Sequence, residues 1–176
     1  MASHEAVAER WAKRGRPIKG FNMFIIGDAV YSHGTHFIIA QWHKTPAGED
    51  VVLFNNFTYS STTGRHMSYT RSAIPTGTLV FEVDRPNAVS KGDHLANYRS
   101  MVLAAEALAV DFMRRRKHLL EHYAGIEGAV EHLNAYAKTF KLGRRTMIVE
   151  KLRGGQSARA KVAPVRLKRE QEMADA

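Results

Sequence analysis

Between Asp93 and Tyr123 the chain runs through 31 residues without a proline or a glycine. Apolar side chains recur there at intervals of three and four: Leu95, Tyr98, Val102, Ala105, Leu108, Ala109, Phe112, then Leu119, Leu120 and Tyr123. That spacing is the signature of one helix face. It predicts a helix from about Asp93 to Tyr123, on the order of 45 Å long. Gly125 is the expected break, and a second helix follows over about 126–140 with Ile126, Val130, Leu133, Tyr136 and Phe140 on its stripe. A short link between two such helices makes an antiparallel hairpin.

The first half obeys a different period. Residues 22–32 are apolar and β-branched, interrupted at Gly27-Asp28 by a bulge or a tight turn. A strand is expected from Thr35 to His43. Both of its faces carry apolar residues (Phe37 and Ile39 on one, Ala40 and Trp42 on the other), so it belongs in the centre of a sheet. Thr45–Asp50 reads as a hairpin loop, Val51–Asn55 as a strand and Thr78–Val83 as another. Between the last two, Thr62 or Thr63 is expected to cap a short helix reaching Ala73, ended by Pro75 and Gly77. Residues 3–14 give a further short helix, capped by Ser3 and stopped at Gly15. The expected fold is therefore α+β: a small antiparallel sheet with an inserted short helix, packed against a long helical hairpin, with a basic tail. The boundaries fall at 1–20, 21–90, 91–142 and 143–176. Met147-Ile148-Val149 is a candidate edge strand.

Lys and Arg number 26 against 17 acids, a net +9, and +6 of that lies in residues 141–176. Such a balance favours anionic partners, nucleic acid first (DNA or RNA). The chain has no cysteine, which removes disulfides, thiolate metal sites and thiol nucleophiles. No apolar run reaches the roughly 18 residues of a membrane span, so no membrane partner is expected. The opening MASHEAVAERWAKRGRP lacks a secretory core, which predicts a cytoplasmic protein, with a virion as the other setting.

Chemistry-bearing residues crowd into Tyr59-Ser60-Ser61-Thr62-Thr63-Gly64-Arg65-His66. A hydroxyl-capped helix start offers outward amides with partial positive charge. Tyr59, Thr62, Thr63, Arg65 and His66 are thus the candidate phosphate-binding set. Together with Tyr31-Ser32-His33-Gly34-Thr35-His36-Phe37-Ile38-Ile39-Ala40, this pattern (YSxTTxxH after an aromatic-Ser pair) resembles a family of small uncharacterised domains encoded by phages and other mobile elements. The resemblance covers roughly residues 30–73 and implies a mobile-element origin, with no reaction attached.

Three further patterns carry chemistry. His33-Gly34-Thr35 and His66-Met67-Ser68 resemble the paired units of two-histidine phosphoesterases, which makes His33, His36 and His66 the catalytic alternative, in a phosphodiesterase or a nucleotide-sequestering factor. His118-Leu119-Leu120-Glu121-His122 spaces two histidines one helical turn apart, the weak metal alternative. The nucleic-acid set is Arg114, Arg115, Arg116, Lys117, Arg144, Arg145, Lys151, Arg153, Arg159, Lys161, Arg166, Lys168 and Arg169. Aromatics of the sheet region, Tyr31, Trp42, Phe54, Phe57 and Tyr59, can stack on bases wherever they are exposed, and at least half of them are expected to be buried. With no recognised DNA- or RNA-binding signature, binding is expected to be weakly sequence-specific and non-enzymatic. No cofactor is expected. A host protein and a second copy of the chain are the remaining candidate partners, the latter in an assembly or a virion component.

Overall fold

The computed structural model describes residues 1–114, 117–144, 146 and 148. The chain is an α+β protein that forms two compact units, residues 1–97 and 98–176.

In the first unit α1 (His4–Ala12) starts where Ser3 turns out of the helix and its hydroxyl accepts from the Ala6 amide at 3.1 Å. Five strands follow: β1 (Met23–Ile26), β2 (Ala29–Ser32), β3 (Ile38–Lys44), β4 (Asp50–Asn55) and β5 (Leu79–Val83). They stand in the order β1-β2-β3-β4-β5, which puts β3 at the centre as its two apolar faces require. Gly27-Asp28 resolves as a turn: Ile26 pairs with Ala29, and Gly27 sits at φ 55°, a conformation that a side chain resists. Between β2 and β3 the chain turns through His33 at φ 61°, so β3 begins three residues later than the apolar pattern suggests.

The first three pairings are antiparallel, but β5 lies parallel to β4. The sheet is mixed rather than wholly antiparallel. The cause is α2 (Ser61–Ala73), which crosses from the end of β4 and returns the chain to the end where β4 began.

One face of the sheet gathers Met23, Ile25, Val30, Trp42, Val52 and Phe54 into a core with Val7, Ala8, Trp11 and Ala12 of α1. Each such side chain fully withdrawn from water is worth roughly 1.5–3 kcal/mol. Polar contacts fix how α1 lies. The Trp11 indole N–H donates to the Asp28 carbonyl at 2.7 Å, and the Trp11 and Trp42 rings meet at 5.7 Å. Arg14 lies over Trp42 at 4.5 Å and reaches Asp50 at 2.6 Å. Lys44 and Arg14 together hold the Asp50 carboxyl below the usual carboxylate range. At the other end of the sheet Arg71 of α2 lies over Phe54 at 4.0 Å and pairs with Glu82.

In the second half, α3 (Lys91–Arg114) and α4 (Leu119–Thr139) pack against each other, with the Phe112 and Tyr123 rings 5.8 Å apart. The helix expected to run unbroken to Tyr123 stops at Arg114, and α4 restarts after His118, held in the left-handed region at φ 54°. Four consecutive cations repel one another inside a helix, which counts against an unbroken helix through this stretch of sequence. Gly125 is not the break: it and Gly128 lie inside α4, with nothing within 4 Å of where a Cβ would stand. Of the candidate edge strand, Met147 and Val149 lie outside the described residues and Ile148 is not in a strand; Thr146 donates its amide to Asn134 at 3.2 Å. No helix among the described residues is long and apolar enough to cross a membrane.

Candidate functional site

The cap of α2 is Ser60, not Thr62 or Thr63. Ser60 is extended, accepts from the Thr63 amide through its hydroxyl at 3.2 Å and bonds the Thr63 hydroxyl at 3.1 Å. Capping from an earlier residue rotates the whole motif. Thr63, His66 and Thr70, at helical spacing, turn into the protein, while Thr62 and Arg65 turn out to solvent. The five residues expected to meet a phosphate are therefore divided: Tyr59, Thr62 and Arg65 are exposed, and Thr63 and His66 are buried.

The outward side carries an aromatic ledge. Of the five aromatics that could stack on bases, Trp42 and Phe54 are buried and Tyr31 is half-buried. The other two are open: Phe57 is 55 % exposed and Tyr59 is 68 % exposed. Their rings meet edge to face at 4.9 Å, and Tyr59 also packs its ring on Phe37 at 5.2 Å. Asn55 pins the loop beneath them. Its side chain donates to the Ile38 carbonyl at 2.8 Å and accepts from the Phe57 amide at 3.0 Å. The two rings border a hollow of about 450 Å³ lined also by His36, Phe37, Asn55, Asn56 and Asp84, in which Asn56 donates to the Asp84 carboxylate at 2.6 Å.

The inward side gathers histidines. His66 is 1 % exposed, and its Nδ1 shares a 2.7 Å hydrogen bond with the Ser32 hydroxyl. Its Nε2 is buried without a partner; Trp42 Nε1 is the other such atom among the described residues. The His4 ring stands edge-on to His66 at 4.3 Å, and the His33 ring stacks on it at 5.4 Å. Burial first, then the nearby His4 and His33, push the His66 pKa down to about 4. His33 and His66 thus converge, as the phosphoesterase pattern asks, but ring against ring rather than across a gap. His36 lies apart, in the hollow beside Tyr59.

His118 is the residue before α4; its carbonyl accepts from the His122 amide at 3.1 Å, one turn on, and its Nδ1 is tied to Glu121 at 3.0 Å. No three His, Asp or Glu side chains stand in metal-holding geometry among the described residues. Of the expected nucleic-acid set, Arg114, Lys117 and Arg144 are exposed. Arg115, Arg116, Arg145, Lys151, Arg153, Arg159, Lys161, Arg166, Lys168 and Arg169 lie outside the described residues.

Sequence reasoning assigned no role to His4 or Ser32. Neither has a local signal: their partner His66 lies 62 and 34 residues away along the chain. The pairing of Phe57 with Tyr59 did have one, since two aromatics two residues apart outside any strand mark a loop with apolar surface to place. No protein-family model, curated protein or solved structure matches this chain.

Proposed function

We propose that the protein binds single-stranded nucleic acid, DNA or RNA, without catalysing a reaction on it and with weak sequence preference. The observation that carries this is the exposed Phe57–Tyr59 ledge beside the start of α2. An open ring face takes any base by stacking. Thr62, Arg65 and the Ser61 and Thr62 amides, which lie ahead of the amides used in the Ser60 cap, are next to it in the chain and suit the phosphate that follows a stacked base. Residues 1–97 have ten basic and eight acidic side chains, so charge alone gives this unit little affinity and the ledge must supply the contact. The +6 of residues 141–176 supplies the sequence-independent, salt-sensitive part. The resemblance of residues 30–73 to phage-encoded domains fits a factor acting on nucleic acid in the cytoplasm of a bacterial host.

The test is fluorescence anisotropy with labelled single-stranded oligonucleotides at several salt concentrations. Tyr59→Ala and Phe57→Ala each weaken binding by roughly 5- to 150-fold, the equivalent of 1–3 kcal/mol of stacking. Arg65→Ala weakens it evenly across sequences and lowers the salt slope by about 1. A folded Phe57→Ala/Tyr59→Ala double variant that binds as tightly as the parent removes this function from the ledge.

A further inference from the structure

The histidines on the inward side do nothing in the function proposed above, yet their placement has a cost. His66 sits on α2, His4 is the first residue of α1 and His33 lies in the turn after β2, so three elements meet ring to ring at one point. A buried imidazole nitrogen without a partner is normally avoided, because an unmade hydrogen bond is not recovered elsewhere. Here it is tolerated as long as the ring is neutral.

We propose that the His4–His66–His33 stack is an acid-sensitive clasp, which holds α1 on the sheet when its rings are neutral and lets α1 go when they take up protons. The groups whose charge is felt at His66 are His4 from α1 and His33 from the β2–β3 turn, and both oppose a proton on it. No carboxylate is among them to receive the charge. The neighbour on β2 is the neutral Ser32 hydroxyl, and within α2 the Thr70 hydroxyl caps the His66 carbonyl at 2.8 Å rather than touching the ring. A second proton in this stack therefore puts two like charges about 5 Å apart, one of them on the buried His66 ring. The pair is relieved by separating the elements. His33 and His66 are fixed through the sheet and α2. α1 packs on α2 and on the sheet through side chains, has a single bridge to the chain beside it, Ala2 with Gly20, and is joined to β1 through a link containing Gly15, Pro17 and Gly20. It is the element that can leave, and leaving uncovers Trp11, Met23, Ile25 and Val30.

Trp11 and Trp42 report the step, because both lie in the surface that separates. On acidification of the full chain from pH 8 to pH 4, tryptophan emission is expected to shift to the red and acrylamide quenching to rise, with most of the far-UV circular dichroism retained. The midpoint falls within roughly pH 4–6.5, between the His66 value in the fold and that of a free histidine. His4→Gln moves the midpoint down by roughly half a pH unit or more, and His66→Gln abolishes the step in this window. His36→Gln, away from the stack, leaves it in place. Should His66→Gln fail to fold, His4→Gln decides, since His4 is half-exposed. An unchanged midpoint in His4→Gln overturns the clasp. So does a tryptophan signal that stays flat to pH 4, or one that changes only together with loss of the far-UV signal.

Discussion

Trp11 ties α1 to the sheet by two separable contacts, and Trp11→Phe removes one of them cleanly. The indole N–H donates to the Asp28 carbonyl at 2.7 Å, in the turn between β1 and β2. That carbonyl also accepts from the Trp42 amide at 3.1 Å, so it is not orphaned when the indole goes. The loss is then an ordinary hydrogen bond, about 1 kcal/mol, rather than the larger penalty of a buried group with no partner. Phenylalanine keeps a ring against Trp42 but leaves part of the indole volume empty in a fully buried place, worth up to about another 1 kcal/mol. For a chain of this size, about 1–2 kcal/mol lowers the melting temperature by about 2–8 °C. Trp11→Ala, which deletes the side chain from the core, costs about 3–5 kcal/mol. Thermal melts followed by far-UV circular dichroism at pH 7.5 give both numbers. If Trp11→Phe melts with the parent, the indole bond does not hold α1 and the clasp has lost its companion contact.

Three further perturbations separate local from global effects. Ser60→Ala is expected to cost about 1 kcal/mol in a denaturant titration, whereas Thr62→Ala, at an exposed position off the cap, costs almost nothing. Gly27→Ala has free space for its methyl, so its cost of about 1 kcal/mol comes from the backbone at φ 55° alone. Deleting residues 154–176, which hold five basic residues, flattens the salt dependence of oligonucleotide binding and leaves the melting temperature nearly unchanged.

The local chemistry of the chain was legible where one segment decides it. Apolar residues on both sides of Ala40 placed β3 at the centre, and Thr45–Asp50 marked a loop that the structure closes between Lys44 and Asp50. The strand Leu79–Val83 was read within one residue of its start. What escaped depended on distant parts of the chain. The direction of β5 is set by the path of α2, which no pattern within β5 encodes. The start of β3 is delayed by His33 in the left-handed region, a conformation uncommon for a non-glycine residue. The short helix after Tyr59 was read to its end at Ala73, but its cap was placed at Thr62 or Thr63 rather than Ser60, and the burial of Thr63 and His66 against distant parts of the chain left no local signal. The histidine stack was invisible for the same reason that makes it informative: it exists only once α1, the β2–β3 turn and α2 have met.

A second pair of histidines gives acid sensitivity of a different kind, and the two can be told apart. His43 of β3 donates through Nε2 to the Pro86 carbonyl at 2.7 Å, and the His94 ring lies 6.4 Å from it. Burial lowers both, with His94 brought down to about 4, helped by His43 and opposed by Asp93. His94 is nearly fully buried, so its reluctance to take a proton bears on stability. The sign follows from proton uptake. Between pH 6.5 and about 4 the unfolded chain binds a proton at this position and the folded chain does not. The contribution is therefore intact above pH 6.5 and is lost as pH falls toward 4. It amounts to at most about 3 kcal/mol, since each tenfold loss of proton affinity is worth about 1.4 kcal/mol. His94→Gln should flatten the curve of unfolding free energy against pH over that window while leaving the acid-induced tryptophan step where it was. His66→Gln should alter both. Superimposable stability–pH curves for His94→Gln and the parent would mean that His94 takes up its proton in the fold as readily as in the unfolded chain. If His94→Gln moves the tryptophan midpoint as far as His4→Gln does, α1 does not leave as a separate step, and acid acts on the whole unit at once.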